Sequence, residues 1–258
     1  MINLDFTNIT TSLLDTFLQA GEIAKEISKK GVQIKIKADK SPVTDGDLAV
    51  DKILRTKIKD LTPNIPIISE ETVDLNVENK SDDFWLIDPI DGTRDYIKKK
   101  DQYTLNAALI INQRPVIGII NAPAKGRLFY SYGKNLAFEF SNNKEKKLNG
   151  KKINNKEIIG LENSGNTPAE VLNIYDKNKV SLTVKMSSSL KFCILATGEA
   201  DIYAANARAY EWDIAAGHAI LEHSGGSVNT HEGRDFLYGK KSYKNLPILA
   251  KRSKDIKF

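Results

Sequence analysis

The apolar run Phe84–Ile87 ends in the acidic segment Asp88–Thr93, which reads DPIDGT. A short apolar run of this kind is typical of a buried strand, so both carboxylates come where a strand ends and the chain turns. Pro89 biases the residue before it towards an extended backbone, and Gly92 permits a tight turn. The two carboxylates and the carbonyl of Ile90 can therefore converge on one point. Because these are oxygen ligands on one short loop, we expect them to bind a hard cation, Mg2+.

A zinc site and a purely structural turn are the alternatives to a magnesium site. His218, His223 and His231 are not paired at the spacing of zinc ligands, and no cysteine lies near the acidic segment. An isolated Asp-x-x-Asp is more often an acidic turn than a metal site. This one is accompanied by further acids that other predicted elements deliver at their ends.

Three further acids stand at the ends of predicted elements. In the helix predicted over residues 45–59, an advance of 100° per residue puts Asp47 on the side of the apolar stripe. A buried carboxylate there is costly unless it is paired or bound to a metal, whereas an acid that merely favours the helix dipole is the alternative. Glu70 follows the apolar run Ile65–Ile68, and Asp213 opens a predicted helix of small residues.

The pattern of apolar residues predicts an α+β first half with an antiparallel sheet and an α/β second half. The helices predicted in the first half are one from residue 9 to near Gly31 and one over 45–59. The strands are expected over 32–37, 65–68 and 84–87, and two hairpins are expected, 105–111 with 116–120 and 128–132 with 136–140. Beyond them we expect helices over 187–197 and 213–223, with a strand over 200–204 between them. The Asn- and Lys-rich stretch 141–156 predicts a loop and a domain boundary, with domains 1–142 and 143–258; an ordinary hairpin loop is the alternative.

Composition narrows the classes of function. The chain has 258 residues, of which 41% are hydrophobic and 28% charged, as in a folded globular protein. The net charge of +5 comes from scattered lysines, without the aromatic or Cys/His patterns of nucleic-acid binders, so we expect no specific nucleic-acid partner. Apolar runs such as Leu105–Ile111 are far shorter than the roughly 18 residues of a membrane span. With the single Cys193, the chain is expected to be cytoplasmic; attachment to the cytoplasmic face of the inner membrane stays open.

In four segments the sequence resembles the inositol monophosphatase family, with matching order and spacing. These segments are Ser41–Asp47, Ser69–Glu71, Trp85–Tyr96 and Glu211–Ala219. Within that family, Ser187–Cys193 is similar to the bacterial 3'(2'),5'-bisphosphate nucleotidase branch. The resemblance implies a layered αβαβα sandwich with the metal site between two domains.

The resemblance also implies roles for individual residues. The metal ligands it implies are Glu70, Asp88, Asp91, Asp213 and the carbonyl of Ile90. The catalytic residues it implies are Asp47, Thr93 and Glu70, with Asp47 and Thr93 as the pair that activates water. The substrate-binding residues expected with it are Ile90, Asp91, Gly92, Thr93, Ser188, Lys191 and Asp213. Arg208 is a further candidate for binding the phosphate that does not react, and a solvent-exposed loop arginine is the alternative. Water then attacks a phosphate ester in line, two or three Mg2+ ions offset the charge, and Li+ inhibits.

One position departs from the nucleotidase pattern. Where that branch has Tyr-Pro-Arg, this chain has Tyr203, Ala204 and Ala205, and Arg208 lies three positions further on. We expect a phosphatase that converts 3'-phosphoadenosine 5'-phosphate, a small phosphorylated substrate, to AMP and phosphate. The alternatives are the same chemistry on an inositol or sugar monophosphate, and a non-catalytic anion- or RNA-binding protein. The non-catalytic alternative predicts lost metal ligands, whereas every ligand position is filled.

Overall fold

A computed structural model describes residues 4–37, 40–77, 81–150 and 157–253. The helices are α1 (Phe6–Lys30), α2 (Asp45–Leu61), α3 (Thr93–Ile97), α4 (Ala169–Lys177), α5 (Leu190–Ala196) and α6 (Ala215–His223). The strands are β1 (Ile34–Ile36), β2 (Pro42–Thr44), β3 (Ile67–Ser69), β4 (Phe84–Asp91), β5 (Thr104–Ile111), β6 (Arg114–Ala122), β7 (Arg127–Ser131), β8 (Ala137–Ser141), β9 (Lys144–Lys147), β10 (Ile159–Glu162), β11 (Leu182–Lys185), β12 (Ile202–Ala205), β13 (Ser227–Thr230) and β14 (Ile248–Lys251). Single 3-10 turns cover Pro123–Lys125, Glu211–Asp213 and Lys241–Tyr243.

In the described residues, two large sheets alternate with three helical layers, and β1 and β2 pair in a separate two-stranded sheet. The larger sheet has the order β3-β4-β5-β6-β7-β8-β9, and the smaller one has the order β11-β10-β12-β14-β13. Helices α1 and α2 cover one face of the larger sheet, α5 and α6 lie between the two sheets, and α4 packs outside the smaller sheet. The predicted αβαβα sandwich is therefore confirmed.

Side chains along β4 point alternately to the two faces of the larger sheet, and this alternation joins the layers. Trp85 and Ile87 pack with the α1 and α2 side chains, whereas Phe84 and Leu86 point to the opposite face and pack in the core between the sheets. Successive strand residues face opposite sides, so a strand that is apolar throughout is buried on both faces. All four of these side chains are almost fully buried. The strand that carries the acidic segment is thus fixed from both sides.

The first-half elements predicted from periodicity are found. Helix α1 ends at Gly31, whose positive φ of 100° suits glycine. Helix α2 begins after Thr44 in a capping box, because Thr44 and Asp47 exchange side-chain and backbone hydrogen bonds. The larger sheet is antiparallel except that β3 pairs in parallel with β4. That parallel pair brings the ends of β3 and β4 to the same edge of the sheet.

Several expectations about local structure are wrong. The stretch 141–156 is not all loop: β9 pairs with β8, and it escaped notice because all its side chains are exposed and show no alternation. The expected boundary after residue 142 stays a prediction, and residues 151–156 lie outside the described ranges. Helix α5 begins at Leu190 and not at Ser187. Asp213 does not open α6 but ends a 3-10 turn before it.

The acidic segment is not a loop beyond the strand either. Strand β4 continues to Asp91, and its pairing with β5 shifts: Asp88 lies opposite Asn106, and Asp91 lies opposite Thr104. Two residues of β4 therefore face one residue of β5, which is a β-bulge. The bulge bends the end of the strand, so that Asp88 and Asp91 lie in the same region of the molecule.

Small residues bring α6 close to the larger sheet. A Cβ atom on Gly118 of β6 would lie 2.3 Å from the carbonyl oxygen of Ala216, and one on Gly217 would overlap Phe192. The close backbone approach expected from the small residues of this helix is therefore present. It holds Asp213, just before the helix, against the edge of the sheet that carries the other acids. Among the described helices, none has the length and apolar character that crossing a membrane requires.

Candidate active site

Three carboxylates meet at the ends of β3 and β4 in the larger sheet. Glu70, Asp88 and Asp213 each offer an oxygen atom within 4.8 Å of the others. Glu70 follows β3 and is held there because its N–H donates to the Ile87 carbonyl at 3.1 Å. Asp88 belongs to β4, and Asp213 ends the 3-10 turn before α6. Elements from three distant parts of the chain thus supply one cluster.

Asp91 extends this cluster from the bulge of β4. Its Oδ2 atom accepts hydrogen bonds from the N–H and the hydroxyl of Ser189, the latter at 2.7 Å. Burial raises the pKa of Asp91, although Ser189 and the charge of Lys191 oppose that rise. Asp91 also lines the cleft described below.

The cluster is unfavourable without a cation. Burial, and then repulsion from neighbouring carboxylates, raises the pKa of Asp88 and of Asp213 well above the usual range. The Oδ1 atom of Asp88 is buried and has no hydrogen-bond partner among the described residues. A buried acceptor without a donor is costly, and oxygen ligands alone suit a hard cation. The residues present therefore fit Mg2+.

The predicted water-activating pair is also brought together. The Thr93 hydroxyl lies 3.4 Å from Oδ1 of Asp47 and 3.1 Å from the carbonyl oxygen of Ile90. The other carboxylate oxygen of Asp47 accepts from the N–H of Thr44 at 2.7 Å and from its hydroxyl. Burial raises the pKa of Asp47 to about 6. Asp47 lies on the buried side of α2 with Val50, as its position in the helix predicts.

Lys37 is a site residue that the sequence analysis did not predict. Its Nζ atom lies 3.1 Å from Glu70 and 2.8 Å from Glu71. Burial alone would lower the pKa of Lys37, but the two carboxylates outweigh it and the pKa is raised. Its place directly after β1 gave no signal, because the carboxylates that it contacts are 33 and 34 positions away in the chain. Burial raises the pKa of Glu71 to about 7.

A cleft of about 530 Å3 opens above the cluster. The predicted site residues that line it are Glu70, Asp91, Gly92, Thr93, Ser188, Lys191, Arg208 and Asp213. Asp47, Asp88 and Ile90 lie beneath this lining and are buried. The cleft is therefore acidic at its base, and the basic residues in its lining are Arg94, Lys191 and Arg208.

Lys191 is the buried cation of this wall. Its Nζ atom donates to the carbonyl of Ser188 at 2.7 Å and lies 5.1 Å from the centre of the Tyr203 ring. Burial lowers the pKa of Lys191 to about 8. Ala205, at the position of the family arginine, is buried in the same wall, and Arg208 lines the cleft close by. An ammonium that is partly desolvated in this way is prepared to bind an anion.

Comparisons with known proteins show the family of this chain. The model described as the inositol monophosphatase family matches residues 5–254. The chain is 35% identical over 243 residues to the 3'(2'),5'-bisphosphate nucleotidase CysQ of Buchnera aphidicola, covering 91% of both chains. It is 31% identical over 214 residues to the CysQ of Haemophilus influenzae, covering 81% of this chain and 80% of that one.

Solved structures show the same fold. The crystal structure of CysQ from Bacteroides thetaiotaomicron, described as a bacterial member of the inositol monophosphatase family, is similar with a TM-score of 0.78 and 27% identity; the match covers 96% of this chain and 97% of that one. The inositol monophosphatase from Anabaena is similar with a TM-score of 0.76 and 20% identity, over 98% and 94% of the two chains.

The raised carboxyl pKa values give a first prediction, on stability without metal. The folded-state pKa values of Asp88, Asp91 and Asp213 exceed the unfolded value near 3.9, so between these values the folded chain binds more protons than the unfolded chain. The free energy of unfolding of the metal-free protein therefore falls as the pH rises through that window. Mg2+ should remove this loss, and it should raise Tm more at about pH 7.5 than at about pH 5.5.

The Mg2+-induced change in Tm is the appropriate measurement because other groups have the opposite pH dependence. Burial lowers the pKa of His223 to about 4, so its contribution to stability rises with pH up to its unfolded value near 6.5. His223 lies outside the acidic cluster, and its contribution cancels when the same buffer is compared with and without Mg2+. An equal gain in Tm at both pH values would contradict the cluster's role.

Proposed function

The chain belongs to the inositol monophosphatase family, and on that premise we propose that it is a metal-dependent phosphomonoesterase that hydrolyses 3'-phosphoadenosine 5'-phosphate to AMP and phosphate. It is a 3'(2'),5'-bisphosphate nucleotidase, as are its CysQ relatives at 30% identity and above. The observation that carries this function is the acidic cluster in a cleft whose lining also includes the basic side chains of Lys191 and Arg208. A substrate with two phosphates needs a cation site for the reacting phosphate and fixed positive charge for the other.

We assign the metal ligands to the acidic cluster and its neighbours. The proposed ligands of two or three Mg2+ ions are Glu70, Asp88, Asp91, Asp213 and the carbonyl oxygen of Ile90. When bound, the ions would polarise the phosphate and increase the acidity of a nucleophilic water. The unpartnered Oδ1 of Asp88 and the exclusively oxygen donors support this assignment. Lys37 holds Glu70 in place from the side through its ion pair.

Asp47 and Thr93 receive the proton of the attacking water. The Thr93 hydroxyl can accept a proton on its oxygen while it passes its own proton to Oδ1 of Asp47. The distance of 3.4 Å is long for a hydrogen bond, and catalytic contacts of this kind tighten when substrate binds. A pKa of about 6 suits a group that accepts a proton near neutral pH. The capping box fixes the carboxylate because Thr44 holds its second oxygen.

The remaining predicted site residues divide between the two phosphates. Residues 90–93 and Asp213 surround the reacting phosphate at the cluster. Ser188, Lys191 and Arg208 bind the phosphate that does not react. Ala205 stands where the nucleotidase branch has an arginine, and Arg208 takes over the role of that arginine. Its planar guanidinium can bind phosphate with two parallel hydrogen bonds. The cytoplasmic location stays a prediction from the sequence.

Asp47→Asn tests the proton acceptor. The substitution keeps the side-chain volume and one hydrogen-bond acceptor but removes the charge, so kcat should fall by about 10²–10⁴, as when a general base is lost. KM should change little. Steady-state kinetics at saturating Mg2+ is the measurement, with Asp45→Asn in the first turn of the same helix as the matched control. A wild-type kcat for the Asp47 variant would show that another group accepts the proton.

A substrate panel tests the function itself. Purified protein with Mg2+ is assayed for phosphate release from 3'-phosphoadenosine 5'-phosphate, inositol 1-phosphate and fructose 1,6-bisphosphate, and the adenosine bisphosphate should give the highest kcat/KM.

Arg208→Ala tests the second phosphate site. The substitution should raise KM for 3'-phosphoadenosine 5'-phosphate about 10- to 100-fold, since hydrogen bonds to charged groups contribute about 1.5–3 kcal/mol. Hydrolysis of inositol 1-phosphate should be unaffected.

The surface arginine Arg234 provides the control for this test, and Arg234→Ala should leave all three reactions unchanged. An equal effect of Arg208→Ala on both classes of substrate would place Arg208 outside the second phosphate site. A wild-type preference for inositol 1-phosphate would overturn the nucleotidase assignment in favour of a monophosphatase.

A further inference from the structure

Ser189 contacts both sides of the acidic cluster. It is almost fully buried, and it precedes α5 in the part of the chain that follows β11. Its N–H and hydroxyl both donate to Oδ2 of Asp91, which belongs to the larger sheet. The same hydroxyl lies 2.5 Å from the backbone carbonyl oxygen of Asp213. One small side chain therefore joins the carboxylate from β4 to the backbone of the acid that precedes α6.

Asn106 determines which way the Ser189 hydroxyl points. Its side-chain Nδ2 atom donates to the Ser189 oxygen at 3.0 Å, from a buried position on β5 opposite Asp88. A hydroxyl carries one proton and two lone pairs. Because the amide occupies a lone pair, the hydroxyl proton must point to an oxygen acceptor, and the acceptors in reach are Asp91 and the Asp213 carbonyl.

The backbone around Ser189 is strained in a way that serves this contact. Ser188 has a φ of +60°, in the left-handed region that residues other than glycine seldom adopt. This conformation turns the chain immediately before Ser189, where its N–H meets Asp91. Strain of this kind costs free energy and persists only where the surrounding contacts determine it, often at functional sites.

We propose that Ser189 is a positioning residue for the metal site, with Asn106 orienting its hydroxyl. Two donors on one oxygen prevent the Asp91 carboxylate from rotating, and they leave its remaining lone pairs for the cation. The single hydroxyl proton is shared between Oδ2 of Asp91 and the carbonyl oxygen of Asp213, so Ser189 links the Asp91 carboxylate to the backbone of Asp213. This role rests on the proposed function only in taking the cluster as a Mg2+ site, and it does not depend on which phosphate ester is hydrolysed.

The test is Mg2+ binding to metal-free protein, measured by calorimetric titration without substrate. Ser189→Ala removes the hydroxyl and should weaken Mg2+ binding about 10- to 100-fold, the usual cost of losing an outer hydrogen-bond partner of a metal ligand. Ser189→Thr keeps the hydroxyl and should restore most of the affinity. The matched control is Ser131→Ala, since Ser131 is also buried but its hydroxyl has no partner among the described residues; its Mg2+ affinity should equal that of the wild type.

Kinetics separates positioning from substrate binding. In Ser189→Ala the Mg2+ concentration for half-maximal rate should rise, while KM for 3'-phosphoadenosine 5'-phosphate at saturating Mg2+ should stay close to the wild-type value. A wild-type Mg2+ affinity in this variant would overturn the proposal. A raised KM with unchanged Mg2+ affinity would also overturn it, because Ser189 would then bind substrate directly.

A second variant covers the case in which Ser189→Ala does not fold. Asn106→Ala leaves Ser189 in place but removes the donor that orients its hydroxyl, so Mg2+ binding should weaken by a smaller factor; unchanged affinity would contradict the proposal. Failure of the wild-type protein to bind Mg2+ would overturn the metal site and this role together. A wild type that binds Mg2+ but does not hydrolyse adenosine bisphosphates would contradict the substrate assignment alone.

Discussion

The buried carboxylate of Asp88 is repelled by the neighbouring carboxylates of Glu70, Asp91 and Asp213, and the elements around these acids hold them together. Burial raises the pKa of Asp88, Asp91 and Asp213, which is the physical sign that their charged forms are costly as they stand. The fold opposes this repulsion with a rigid frame. A divalent ion turns the repulsion between the carboxylates into attraction, so the free-energy cost of holding them together favours cation binding.

Each part of the frame has an identifiable physical cause. The parallel pairing of β3 and β4 places Glu70 beside Asp88, and the bulge in β4 adds Asp91 to the same edge. Gly118, at the contact of β6 with α6, lets α6 and the last acid, Asp213, approach from the other side. Lys191 and Arg208 line the same cleft, and we propose that they bind a second anionic group of the substrate.

The sequence predicts much of this site because its acids stand in local patterns. The apolar run before Asp88 and the helical position of Asp47 need only neighbouring residues to be interpreted, and the structure confirms both elements. Lys37, Asn106 and Ser189 escaped notice because each meets its partner through strand pairing or helix packing between distant segments. No local periodicity encodes such a contact. Strand β9 escaped for another reason, since all its side chains are exposed and give no alternating signal.

The central claim, that the acidic cluster is the metal site, can be tested most directly by X-ray diffraction from crystals grown with Mn2+, which takes similar oxygen ligands and scatters anomalously. We expect an anomalous peak within about 2.0–2.6 Å of carboxylate oxygens of Glu70, Asp88 and Asp213, the range of bonds from hard cations to oxygen. A cluster without a peak, in crystals whose Mn2+ ions bind only at surface carboxylates, would contradict the account.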